Sequence, residues 1–385
     1  MNPQRRRWLR QIAQQMAQQT ALQTALQMAL LPMLGTARAQ PTLPEQPDVQ
    51  AGRPLRFPQD HGAHLQARTE WWYATGWLGN EAAPTHGFQI TFFRSRTGLA
   101  EGSTSRFAAR HLLFAHAAVT HLATRTHGHD QRIARWSGAA DAATGHAAVG
   151  RGAVQLADWS LRDEGPAWHA VATGHTLALD LRLARTQPLL LQGDAGTSRK
   201  GQSATHFSHY LSEPQLAATG RVGLQGQTVQ ASGRAWLDHE WADSYLAPGA
   251  VGWDWLGFNL FDGSALTAFV LRRADGSALW AGGSFRTAGA MGQPPRSFGP
   301  TEVRFTPGPR WRSPATGASY PVQWQVDTPA GRFKLRALLD AQELDSRAST
   351  GTVYWEGLSE LLDTQGRRVG LGYLEMTGYA GALKM

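Results

Sequence analysis

Apolar and variable residues alternate with a period of two along much of this chain, and that alternation constrains it to antiparallel sheet. Thr176 to Leu183 alternates in this way, as do Val322 to Val326 and Arg332 to Leu338. Such patterning buries one face of a strand. The turn signals Asp262-Gly263, Asp275-Gly276 and Ala330-Gly331 recur between these runs, and 42 glycines suit tight connections and barrel bends. No long stretch after residue 50 carries a helical period. The expected fold class is all-β, built from barrels or sandwiches.

The N-terminus is set apart from this pattern. Arg5-Arg6-Arg7-Trp8-Leu9-Arg10 fits the twin-arginine export pattern, a weakly apolar stretch from Thr24 to Leu34 follows, and Ala37-Arg38-Ala39 forms a small-x-small cleavage site before Gln40. The stretch is too short and too polar to span a bilayer. Residues 1–39 are therefore expected to be a cleaved signal peptide, giving a periplasmic or secreted protein. The alternative is an amphipathic helix belonging to the domain. Arg5, Arg6, Arg7, Arg10 and Arg38 carry five of the +8 formal charges, which leaves +3 on residues 40–385. A body so near neutral does not advertise nucleic-acid binding.

The absence of cysteine excludes disulfides, thiolate nucleophiles and cysteine-type zinc sites. Burial alone must stabilise the fold, and about 345 residues suffice for two ordinary domains. A faint repeat supports two: Trp71 to Arg94 and Trp253 to Arg272 each run from tryptophan-bearing strand through a turn to an apolar strand ending in arginine. The expected boundaries are an extended lead-in at 40–58, a first domain at 59–235 and a second at 236–385. The proline-rich residues 288–316 read as a long loop of the second domain.

Two phrases set charged groups beside large aromatic faces: Glu70-Trp71-Trp72-Tyr73 and Asp238-His239-Glu240-Trp241. A charge beside an indole is costly to bury unless hydrogen-bonded, so both phrases suggest pocket linings. Structural roles compete at every position. Trp72 and Trp77 suit barrel plugs, Glu70 suits an arginine partner, and Asp238 to Glu240 suit a buried polar network. His206, His209 and Tyr210 suit a strand face. The histidines at 111, 116, 121, 127 and 129 fit no tight metal-ligand spacing, and Ser208 and Ser212 lack a nucleophile elbow. Glycoside chemistry using Glu70 with Glu240 or Asp238 would require a separation that sequence does not fix. No metal or cofactor is expected.

The phrases His64 to Leu78, His206-Phe207-Ser208-His209-Tyr210-Leu211-Ser212 and Gly233 to Trp241 resemble the hallmark phrases of the carotenoid 1,2-hydratase family, and more closely its exported lipocalin-like, AttH-type relatives. The resemblance covers roughly residues 55 to 380. It implies tandem lipocalin-like antiparallel β-barrels and an apolar, isoprenoid or lipid-like ligand. Hydration of an isolated alkene needs a protonated carboxylic acid in an apolar pocket and aromatic faces to stabilise the cation. In the hydratases a histidine and a tryptophan two apart are implicated, with a tyrosine and an aspartate downstream. His239 and Trp241 match that spacing and Asp262 is the nearest downstream aspartate, whereas Leu260 and Phe261 stand where the tyrosine would be. The candidate catalytic set is Asp238, His239, Glu240, Trp241 and Asp262. The candidate ligand-binding set is Glu70, Trp71, Trp72, Tyr73, His206, Tyr210, Trp253 and Trp255. Ligand binding is the leading expectation, followed by hydratase chemistry and then by an accessory role beside a membrane transporter.

Overall fold

The alternating segments fold into two large antiparallel sheets. The computed structural model describes residues 49–140, 144–290 and 292–383, so the export segment lies outside the described residues. The first sheet contains β1 (Thr69–Gly79), β2 (Pro84–Arg96), β3 (His111–His121), β4 (Thr126–Trp136), β5 (Gly145–Ala147), β6 (Ala153–Leu156), β7 (Trp159–Asp163), β8 (Ala167–Thr173), β9 (Leu177–Ala184), β10 (Leu190–Leu191), β11 (Thr197–Arg199), β12 (Phe207–Leu224) and β13 (Gln227–Ala242). Its order is β4-β3-β2-β1-β13-β12-β9-β8-β7-β6-β5, with β10 and β11 also on β12. Its two ends approach each other, so the sheet is a nearly closed barrel, as the lipocalin-like expectation requires.

The second sheet contains β14 (Gly252–Leu260), β15 (Ala265–Arg272), β16 (Ala278–Arg286), β17 (Arg296–Phe298), β18 (Arg304–Pro307), β21 (Gln323–Thr328), β22 (Gly331–Ala337), β23 (Glu343–Ser346), β24 (Thr352–Leu362) and β25 (Arg368–Met376). Its order is β17-β16-β15-β14-β25-β24-β22-β21-β18, with β23 on β24. The small hairpin β19 (Arg310–Arg312) and β20 (Ser319–Pro321) stands beside it. Residues 288–316, expected as loop, thus carry β17, β18 and β19. Strands of three or four residues are too short for period-two patterning to show. Nor does the chain break at 235/236: β13 runs through that point and belongs wholly to the first sheet. The described residues all belong to one compact unit. No helix among the described residues is long and apolar enough to cross a membrane.

The faint sequence repeat has a structural counterpart. Each sheet starts with a hairpin, β1/β2 or β14/β15, whose first strand pairs on its other edge with the last strand of the same sheet, β13 or β25. Side chains on a strand alternate faces, so β1 serves two cores at once. Trp72, Ala74 and Leu78 enter the barrel with Phe88, Trp159, Trp168 and Leu237. Tyr73 and Trp77 point the other way and pack with Trp236, Trp255, Phe269, Leu358 and Tyr373 in a layer between the sheets.

Polar contacts fix the sheets on each other. Pro214 lies at a bulge of β12, and beyond it the Gln215 side chain donates to Leu260 O and Ser264 O, both at 2.9 Å. Asn259 donates back to Ala235 O at 2.9 Å. At the other end His116 meets the Tyr354 hydroxyl at 2.8 Å, and Thr120 donates to Gln342 at 2.9 Å. The sheets approach so closely that a Cβ on Gly87 would sit 2.8 Å from the Tyr373 hydroxyl and 2.9 Å from Leu358 Cβ.

Candidate functional site

A cavity of about 280 Å³ opens between the two sheets. Its walls are two cross-strand rows of matching composition. On the first sheet Tyr210, Glu240, Trp71 and Phe93 lie opposite one another in register across β12, β13, β1 and β2. On the second sheet Glu356, Glu375, Trp255 and Phe269 do so across β24, β25, β14 and β15. All eight line the cavity. A second row of the first sheet adds Asp238, Tyr73, Thr91 and His116. Trp71 stacks on Tyr245 with ring centres 4.0 Å apart and faces Trp253 at 6.2 Å.

Charge is compensated unevenly. Glu240 accepts from Ser208 and from the Lys200 ammonium at 2.8 Å, and that ammonium also lies 4.3 Å from the Phe269 ring centre and 5.0 Å from that of Tyr210. Asp238 receives three donors: Ser212 at 2.5 Å, the Trp236 indole at 2.7 Å and the Tyr210 hydroxyl at 2.8 Å. Tyr210 in turn accepts from the Trp255 indole at 3.0 Å. Burial nevertheless outweighs those donors and pushes the Asp238 carboxyl up to about 7. Glu356 and Glu375 face each other across paired strands; burial raises both, helped at Glu356 by the Glu375 carboxyl and at Glu375 by Asp238 and Glu240. Glu375 is bonded to Trp253, and the Tyr73 hydroxyl is set toward Glu356 without the alignment of an ordinary hydrogen bond. Burial holds the His116 imidazole down near 3, so it is neutral.

Alternation divides both phrases between the two faces of one sheet. Trp71, Tyr73, Asp238 and Glu240 line the cavity; Glu70, Trp72, His239 and Trp241 point into the barrel side. There Glu70 accepts from Arg94 Nε at 2.8 Å, His64 Nδ1 at 2.7 Å and His239 Nε2 at 3.0 Å. Burial opposes ionisation of Glu70, but Arg94 and the two histidines outweigh it and hold the carboxyl well below the usual range. Burial outweighs the Glu70 contact at His239 and lowers the imidazole to about 4. A neutral His239 donating from Nε2 leaves Nδ1 an acceptor, and it has no partner among the described residues. His64 stacks on Trp241 at 3.6 Å and His239 on Trp72 at 4.7 Å.

The donor atoms of His64, Glu70 and His239 lie within 4.8 Å of one another, close enough to hold a metal ion. The Arg94 guanidinium, fully buried on the same carboxylate, would repel a divalent cation, and hydrogen bonding accounts for the geometry. Asp262 sits in the β14/β15 turn, where it accepts from the Ser264 N–H at 2.9 Å, and His206 precedes β12; neither lines the cavity. Tyr210, Trp253 and Trp255 do line it. The sequence reading did not single out Lys200, Tyr245, Phe269, Glu356 and Glu375. Trp355-Glu356 carried the same acid-beside-indole signal used at 70 and 240.

The family model described as AttH-like matches residues 48–379. This chain belongs to the AttH-like family. A crystal structure of an AttH-type protein from Nitrosomonas europaea is 43% identical, covering 86% of this chain and 99% of that one with a TM-score of 0.77. Kievitone hydratase from Nectria haematococca is 14% identical over 86% of this chain and 94% of its own, with a TM-score of 0.62, which shows a shared fold. No curated protein matches the chain.

Proposed function

We propose that this protein binds an apolar, isoprenoid or lipid-like ligand in the cavity between its sheets. The observation that carries the reading is the cavity wall itself: Trp71, Trp253, Trp255, Phe93 and Phe269 supply large apolar faces to one concave site, and the carboxyl groups stand among them. Titrating the tryptophan fluorescence of the purified chain with octanol tests it. Saturable binding that weakens in Trp255→Ala supports the reading, and no saturable binding overturns it.

Asp238 favours a second reading, hydration of an alkene. A carboxyl raised to about 7 and facing an aromatic cavity is partly protonated at neutral pH. It would give its proton to one alkene carbon, the indole faces would stabilise the resulting cation, and water would add before returning a proton to the carboxylate. Glu240, bound to Lys200, suits that donor role less well. The fold shared with a protein named a hydratase is compatible with this chemistry. Incubation with an isoprenoid alkene in ¹⁸O-labelled water should yield a labelled alcohol that Asp238→Asn cannot form while still binding octanol. An absence of labelled product rejects this second reading.

We further propose export by the twin-arginine route, supported by Arg5-Arg6-Arg7-Trp8-Leu9-Arg10 and the Ala37-Arg38-Ala39 site. Changing Arg5 and Arg6 together to Lys should retain the protein in the cytoplasm. Uncleaved wild-type protein found there alone would exclude export.

A further inference from the structure

The two rows that wall the cavity are not equally neutralised. Four carboxyl groups line it, from Asp238, Glu240, Glu356 and Glu375. Of the basic side chains on the wall, Arg94 is bound to Glu70 and Lys200 to Glu240. Asp238 is served by three neutral donors. That leaves Glu356 and Glu375 directly opposite each other, where facing side chains lie about 5 Å apart at Cβ. Two carboxylates at that separation in a buried site cannot both ionise cheaply, so the pair shares a proton.

Glu356 is 2% exposed, yet its Oε1 lacks a hydrogen bond among the described residues. The Tyr73 hydroxyl, on the opposite wall and 6% exposed, is set toward that carboxyl but is not aligned as an ordinary hydrogen bond, so the Glu356 carboxyl has no well-made donor. Both belong to residues lining the cavity. Around them stand Trp253, Trp255 and Tyr354, whose ring faces attract cations. The first-sheet row shows how such a setting is completed: there one ammonium, that of Lys200, rests between Glu240 and the rings of Phe269 and Tyr210.

We propose that the ligand is a cationic amphiphile, an apolar body bearing one protonated amine or quaternary ammonium, with that head seated on Glu356 and Glu375 among Trp253, Trp255 and Tyr354. The inference rests on reading the cavity as an apolar-ligand site and adds the charge of the ligand to it. Seating the head lets both carboxyls ionise, so the shared proton passes to solvent as the cation binds. The other titratable groups facing the pair are Tyr73, Tyr210, Tyr354, Tyr373, His116, Lys200, Asp238 and Glu240. The four tyrosines are raised and His116 is held near 3, so none of these five changes protonation between pH 6 and 8. Asp238 does titrate there and needs its own control.

The test compares three probes of equal chain length on the purified full chain at pH 7: octyltrimethylammonium, octanol and octanoate. Isothermal titration should show the ammonium binding at least tenfold more tightly than octanol, and octanoate more weakly than both. Repeating the ammonium titration in buffers of different ionisation enthalpy should reveal release of close to one proton, with none for octanol. Asp238→Asn, which removes the other carboxyl that titrates near pH 7, should still release protons as the ammonium binds, and Glu356→Gln with Glu375→Gln should lose the preference for the ammonium over octanol. Equal binding of the three probes, or ammonium binding without proton release, overturns the cationic ligand while leaving the apolar site standing. Failure of every probe to bind overturns both. The proton count of Asp238→Asn, in which that second source is gone, decides the matter even where the double variant does not fold.

Discussion

The row Tyr210-Glu240-Trp71-Phe93 and the row Glu356-Glu375-Trp255-Phe269 occupy corresponding strands of two sheets and share an acid, a tryptophan and a phenylalanine in the same order. They differ in what stands beside the acid. Glu240 has a tyrosine on one side and an ammonium within 2.8 Å; Glu375 has a second carboxyl. Each row is backed, one residue earlier on its first strand, by a buried acid held by arginine: Glu70 with Arg94, and Asp254 with Arg272 at 2.8 Å. Here too the first sheet is better compensated. Glu70 is held well below the usual carboxylate range, while burial outweighs Arg272 and the Tyr379 hydroxyl and pushes Asp254 up to about 6. A repeated backbone therefore carries a finished electrostatic arrangement on one sheet and an unfinished one on the other. The unfinished wall is where a ligand has most to contribute.

The largest expected effect separates the two backing pairs. Glu70→Ala strands a fully buried guanidinium and should lower stability in urea by about 3–5 kcal/mol. Asp254→Ala should cost less: each arginine keeps neutral acceptors, Arg94 at His64 O and Ala67 O and Arg272 at Thr377 O, but burial already pushes the Asp254 carboxyl up to about 6, so less charge attraction is lost with it. Equal losses would break the contrast between the sheets. Next in size, Lys200→Met converts the finished row into the form of the unfinished one. Leaving Glu240 buried without its cation should cost about 3 kcal/mol by the same denaturation measurement, and a loss under about 1 kcal/mol would show that the pair contributes little.

The tryptophans should behave alike where the acids do not. Trp71→Ala and Trp255→Ala are each expected to weaken octanol binding by roughly 1–3 kcal/mol, and an effect confined to one of them would show that the rows do not share the ligand. The smallest effect at any single step of pH concerns Asp238. Its carboxyl moves from an ordinary 3.8 to about 7 on folding, so the native state binds the extra proton between those values. The stabilisation is complete below about pH 4 and is lost as pH rises towards 7, with a slope of up to about 1.4 kcal/mol per pH unit. Asp238→Asn should flatten that part of the stability profile, and Glu356 and Glu375, also raised, should keep some slope in it. An unchanged profile would show that Asp238 ionises as freely in the folded state as in the unfolded one.

The sequence by itself determined the all-β class, the paired hairpins and the phrases that matter, because period-two burial and the placing of charge beside indole are local properties of the chain. It also brought Trp71, Tyr73, Tyr210, Asp238, Glu240, Trp253 and Trp255 forward as candidates, all of which line one cavity. Only the tertiary structure decided how each phrase is divided. His239 and Asp238 are neighbours in sequence, yet successive side chains on a strand point to opposite faces, so one enters the Glu70 network and the other the cavity. It alone decided that Glu356 and Glu375, nearly twenty residues apart, share a wall, and that Lys200 reaches Glu240 and not them. Strand register and the packing of one sheet on another set those distances, and both depend on the whole chain rather than on any window of it.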